Sequence, residues 1–170
     1  MVRLHVKHGE GEGEKEFLYD CQGSTRIEGI LRVILQIANL QRKIEFLTLE
    51  LEPSLAALYC DKKAIGLIRA LSEAKAYASK EQVLHGKQLL YNVLRAQVQA
   101  VEKELNLNYQ LLGLSDAQQL QQFVAGVKQL QVDSTHLWWA GKELMRDKQL
   151  CHYIGMNEKT KITVKLQSDV

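Results

Sequence analysis

The chain is sparing with the residues that staple, break or anchor a fold. Of 170 residues one is proline, Pro53, and only 6% are aromatic. The three cysteines, Cys21, Cys60 and Cys151, are odd in number, far apart and without a CxxC pair. That argues against a disulfide framework and fits reduced thiols packed as small hydrophobes. No apolar run reaches the ~20 residues of a membrane span. The opening MVRLHVKHGE interleaves its apolar residues with Arg3, His5 and Lys7 rather than forming a signal-peptide block. A cytosolic or nuclear protein is expected. The net charge is only +2, so electrostatics gives no case for nucleic acid or membrane as a partner.

Catalytic and metal motifs are missing too. The five histidines show no HxxxH or HExxH spacing and no Cys/His pairing at ligand distance. Cys151 and His152 are chain neighbours, whose side chains point apart, whereas a nucleophile needs its base within hydrogen-bond reach. GEGEGE lacks the Lys-Ser/Thr end and following helix of a phosphate loop, and its glutamates would repel phosphate. We expect no catalytic residue, no cofactor and no metal site, hence no enzyme.

What is present is periodicity. Val2, Leu4 and Val6 alternate with Arg3, His5 and Lys7, the signature of a half-buried strand. GEGEGEK is a polar turn, and EFLYDC puts Phe17, Tyr19 and Cys21 on one face of a return strand. Thr25 and Glu28 have capping-box spacing, predicting a helix from about Arg26 that carries Ile27, Ile30, Ile34 and Ile37. Residues 41 to 133 keep a helical period. Leu40, Ile44, Leu47, Leu51, Leu55 and Leu58 form one stripe, which Pro53 is expected to split into two helices. Ile65, Ile68, Leu71 and Ala74 mark another helix, up to about Ala78. Ser79 is placed to cap the longest one, with Val83, Leu90, Leu94, Val98, Val101 and Leu105 as its seam. That seam packs on sister helices or offers a stripe to a partner helix. Ser115 with Gln118 opens a last helix through Leu120, Val124, Val127 and Leu130. Beyond Asp133 the period returns to two: LWWA is a strand, Gly141 a tight turn, KEL a short return, CHYIGMNEK a loop with one helical turn, and TKITVKLQ a final strand.

With residues 41–133 set aside, LWWAGKEL resembles the ubiquitin segment LIFAGKQL. The turn, Leu150, Tyr153 and TKITVKL follow in the same order. The resemblance implies an α+β chain: a ubiquitin-like β-grasp domain, residues 1–40 and 134–170, split by an all-helical insertion, residues 41–133. Its first and last strands would lie side by side. A free Gly-Gly end, which conjugation requires, is not seen in KLQSDV, so conjugation is not expected.

LWWAGKELMRDKQLCHYIGMNEKTKITVKLQ, SEAKAYASKEQV (residues 72–83) and MVRLHVK are together similar to the Kurly family of cilia- and flagella-associated proteins. A double tryptophan, an AxKEL turn and a NEKTKI strand entry recur in that family. The family's proline-rich segment is reduced here to NYQLLGLSDAQ, and its charged helical tail has no counterpart. This resemblance implies a cytoplasmic, non-enzymatic factor, acting there or at the base of the cilium or flagellum in dynein-arm assembly for motility. Its partners would be dynein assembly factors and chaperones, or dynein chains. A ubiquitin-pathway adaptor and a structural axonemal component are the alternative readings.

Trp138 and Trp139 cannot both face the core of a strand, because neighbours leave opposite faces. Leu137 falls at a buried position of ubiquitin-like folds, which leaves Trp138 on the outer sheet face. There either a partner or the helical block covers it. Trp138, Trp139, His136, Thr163 and Lys165 are the candidate protein-binding residues. Tryptophan is a frequent interface anchor, with its large ring and donor edge.

Overall fold

A computed structural model describes residues 1–169. The chain is α+β: among the described residues five strands form one mixed sheet, and every helix lies between the first strand and the last along the chain. The described residues divide into two compact units: residues 1–39, 80–91 and 130–169, and residues 40–79 with 92–129.

The first unit holds the sheet. β1 (Val2–His8) and β2 (Lys15–Cys21) pair antiparallel, with Leu4 opposite Tyr19. Alternation along β1 is strict: Val2, Leu4, Val6 and His8 are buried, and the residues between are half-exposed. β3 (Thr135–Trp139) turns through Ala140 and Gly141 into β4 (Lys142–Glu143). Both turn residues have positive φ, 51° and 79°. That mirror-image turn matches the strand twist, and Gly141 enters it without steric cost. β5 (Lys161–Ser168) lies between the two hairpins, parallel to β1 and antiparallel to β3. The strand order is β2-β1-β5-β3-β4. Chain start and chain end therefore share a ladder, with Val6 beside Val164.

The inner sheet face, with Leu4, Val6, Phe17, Leu137, Val164 and Leu166, is buried. So is the stripe Ile27, Ile30, Ile34 and Ile37 at the start of α1 (Ile27–Ala57). The helix start departs from the capping-box expectation. The amides of Ile27 and Glu28 donate to the carbonyls of Lys148 and Arg146 at 2.8 and 3.1 Å. A neighbouring loop thus satisfies donors that the sequence had assigned to Thr25. The Glu28 carboxylate, freed from that role, pairs with Arg32 and Arg146. Cys21 lies at the end of β2, where burial pushes its thiol up to about 11.

Pro53 does not divide the helix; α1 continues past it to Ala57. Proline in a helix interior leaves the carbonyl four residues back without its donor. That residue is Leu49, 65% exposed, so water can take the place of the missing amide. Meanwhile Ile44, Leu47, Leu51 and Leu55 keep the buried stripe intact on the other face. Tertiary burial outweighs the proline penalty. Pro53→Ala is expected to stabilise the helical unit by on the order of 2 kcal/mol, the helix-interior gain of ~3 less ~1 for a looser unfolded chain. A rise in the urea midpoint would show it.

The second unit also contains α2 (Ile65–Tyr77), most of α4 (Tyr91–Asn108) and α5 (Ala117–Val124). In α2 the buried residues are Leu67, Leu71 and Ala74; Ile65 is exposed. The long seam predicted from Val83 to Leu105 is broken. Val83 belongs to the short α3 (Glu81–Leu84), Leu90 is 47% exposed, and only Leu94, Val98, Val101 and Leu105 line α4. Gly86, at φ 66°, ends α3 in a left-handed turn. The longest helix is α1, at 31 residues. At α5 the cap is one residue later than expected: Asp116 accepts from the Gln119 amide, while Gln119 accepts from the Ser115 amide. Leu130 lies beyond α5 in the sheet unit, bonded both ways to Asn39.

Candidate functional site

Pleating assigns the outer sheet face. Arg3, His5 and Lys7 on β1 stand beside Lys161, Thr163 and Lys165 on β5, and Trp138 stands beside Lys165. His136, opposite Gln167, completes the row on β3. The structure thus brings His136, Trp138, Thr163 and Lys165 onto one surface. Trp139 leaves the opposite face, opposite Lys142 at the sheet edge. Trp138 and Lys165 are half-buried, and Thr163 is exposed.

Ion pairs organise the β1–β2 side. Arg3 donates through Nε and Nη2 to both oxygens of Asp20, at 2.8 and 3.0 Å. This bidentate pair holds the Asp20 carboxyl below the usual carboxylate range. Lys7 lies 3.8 Å from Glu14, and His5 Nε2 lies 3.4 Å from Glu16 without hydrogen-bond geometry.

Sequence reasoning missed the segment that closes this side. Residues 80–91 belong with the sheet, although their composition is helical. The Leu89 amide donates to the Leu18 carbonyl at 2.9 Å, and Gln88 bridges Leu18 in parallel. Arg3 Nη1 donates to the Gly86 carbonyl at 2.7 Å. The exposed edge of β2 is thereby covered, which limits edge-to-edge pairing. The signal available was HGK at residues 85–87, a turn sequence inside an otherwise helical pattern. Between this segment and β5 lies a cavity of about 290 Å³, lined by Arg3, His5, Leu18, Gly86, Lys161 and Thr163 among others.

At the other end of the face, His136 sits between two carboxylates. Its Nδ1 is 2.6 Å from Glu143, and its Nε2 is 2.9 Å from Asp169. A neutral imidazole has one N–H, so both contacts are satisfied only by the imidazolium. The hydrogen bond to Asp169 is the largest cause raising its pKa above 6.5, with Glu143 adding to it against partial burial. A raised folded pKa means the clip contributes fully below the unfolded value and is lost as pH rises through the folded one. Asp169→Asn is expected to bring the His136 titration, followed by NMR, back toward 6.5 and to flatten the loss of stability above it. An unmoved titration would remove Asp169 from the clip.

Among the described residues no group of three or more His, Cys, Asp or Glu is placed to hold a metal ion. No helix is long and apolar enough to cross a membrane.

Fold and face together define a two-unit α+β protein whose outer sheet surface carries a half-buried tryptophan in a row of basic and polar side chains. A family profile described as cilia- and flagella-associated protein 298 matches residues 135–170, the stretch that contributes β3, β4 and β5. The relatives extend the match. Cilia- and flagella-associated protein 298-B of Xenopus laevis is 27% identical over 208 residues, covering 98% of this chain and 75% of its own length. The Homo sapiens and Danio rerio proteins 298 are each 26% identical over 224 residues, covering 98% of this chain and 76% of their own. No solved structure matches. Over nearly its whole length the chain is thus similar to the cilia- and flagella-associated protein 298 family, a likeness that links it to the cilium or flagellum.

Proposed function

We propose that this protein is a non-enzymatic interaction factor acting in cytoplasmic assembly of axonemal dynein arms, with the outer sheet face as its docking surface. Its partners are dynein assembly factors, chaperones or dynein chains, and its sheet unit is a ubiquitin-like β-grasp. The observation that carries this reading is the coincidence of two facts. The profile-matched segment, residues 135–170, contributes β3 and β5 with the His136, Trp138, Thr163 and Lys165 part of the outer face, and the relatives are named for cilia and flagella. The strand order, with first and last strands parallel and adjacent, supports the β-grasp reading.

Proximity labelling from the intact protein in a flagellated cell, beside a Trp138→Ala version, tests it. Enrichment of dynein chains and their chaperones, lost in the variant, is the expected result. Enrichment of ligases and proteasome components would favour a ubiquitin-pathway adaptor instead, and retention in detergent-extracted flagella a structural axonemal role.

A further inference from the structure

We propose that the outer face along β5 binds an extended acidic segment of a partner protein, seated on Lys161 and Lys165 and anchored beside Trp138. The proposal rests on the docking surface described above and names the chemistry of what docks there.

The charge pattern carries it. Each basic side chain of the β1 row has an acidic neighbour: Arg3 has Asp20, His5 has Glu16 and Lys7 has Glu14. His136 is held between Glu143 and Asp169. Lys161 and Lys165 have no ion pair among the described residues, although both belong to this face. Asp20, already bound bidentately by Arg3, feels Lys161 only as the weakest of its influences. The face thus carries two uncompensated positive charges, set four residues apart on one strand. At ~3.3 Å per residue they are about 13 Å apart, the span between side chains i and i+4 of an extended peptide.

Shape agrees with charge. Beside Lys161, the cavity of about 290 Å³ has Arg3, His5 and Thr163 in its lining and Leu18 among its apolar walls. That is room for a carboxylate side chain with its methylenes. Beside Lys165, the half-buried Trp138 lies next to the path that the following residues of the same peptide would take. An acidic strand laid along the row would pair both lysines, fill the cavity and cover the indole.

The test uses fluorescence anisotropy of the full-length chain with a fluorescein-labelled peptide of alternating glutamate and threonine. A glutamine–threonine peptide, a lysine–threonine peptide and phosphatidylserine vesicles are run alongside. Only the acidic peptide is expected to bind, with affinity falling as salt rises. Lys161→Glu with Lys165→Glu should weaken it by about tenfold or more, and Lys161→Gln with Lys165→Gln by less. Hydrogen exchange of the β5 amides checks that both variants keep the sheet; should the glutamate pair not keep it, the glutamine pair decides. Equal binding of the glutamine peptide, unchanged binding by the folded variants, or capture of the vesicles in preference to the peptide would overturn the proposal. If Trp138→Ala loses its labelled partners while the acidic peptide fails to bind wild type, the docking surface stands and its acidic specificity falls.

Discussion

Leu4→Ala is expected to lower the stability of the sheet unit by about 3 kcal/mol, to be read as a fall in urea midpoint with the slope unchanged. Leu4 is 0% exposed and lies on β1 between Tyr19 of β2 and Ile162 of β5. Truncation removes buried methylenes and leaves a cavity beneath a central strand, which can close little because both of its neighbours are hydrogen-bonded to it. The loss is a large share of a typical stability of 5–15 kcal/mol. Amide exchange should report it at both ends of the chain, since Leu4 bridges them: protection is expected to fall across Ile162–Leu166 as well as across β2. A loss confined to residues 2–21 would mean that β5 does not share the sheet.

Trp138→Ala is expected to act in the opposite way, costing binding and sparing the fold. The indole stands on the outer row, half-buried beside Lys165 and Glu143, while its neighbour Leu137 is 1% exposed in the core. An interface tryptophan carries roughly 2 kcal/mol or more, so partner affinity should fall about 30-fold. Unfolding free energy should change by much less than for Leu4→Ala, because backbone pairing with β5 does not need the ring. Should the variant lose as much stability as Leu4→Ala with partner capture unchanged, the tryptophan serves the fold and not the surface.

Much of the local structure could be read from residue order. Alternation in VRLHVKH and TKITVKLQ gave strands, because side chains on a pleat have a period of two whatever lies next to them. Isoleucines at helical spacing after Thr25 gave α1, and AGK gave the turn at Ala140 and Gly141 that β3 and β4 share. Helix ends and breaks were harder. Pro53 was expected to split α1, yet burial of Leu51 and Leu55 around it holds the helix together. Residues 80–91 were expected to extend α4, yet they pack against β2. The outward position of Trp138 followed from counting faces. The ion pairs that leave Lys161 and Lys165 uncompensated did not, since Asp20, Glu14 and Glu16 come from another strand or turn.

Periodicity, turn chemistry and the family likeness were therefore properties of the sequence, each set by residues a few positions apart. Tertiary structure alone decided which strand edge residues 80–91 would cover, what would satisfy the first amides of α1, and which carboxylates would close on His136. Those outcomes join groups far apart along the chain, and they form only when burial of a shared core outweighs the entropy of bringing distant segments together.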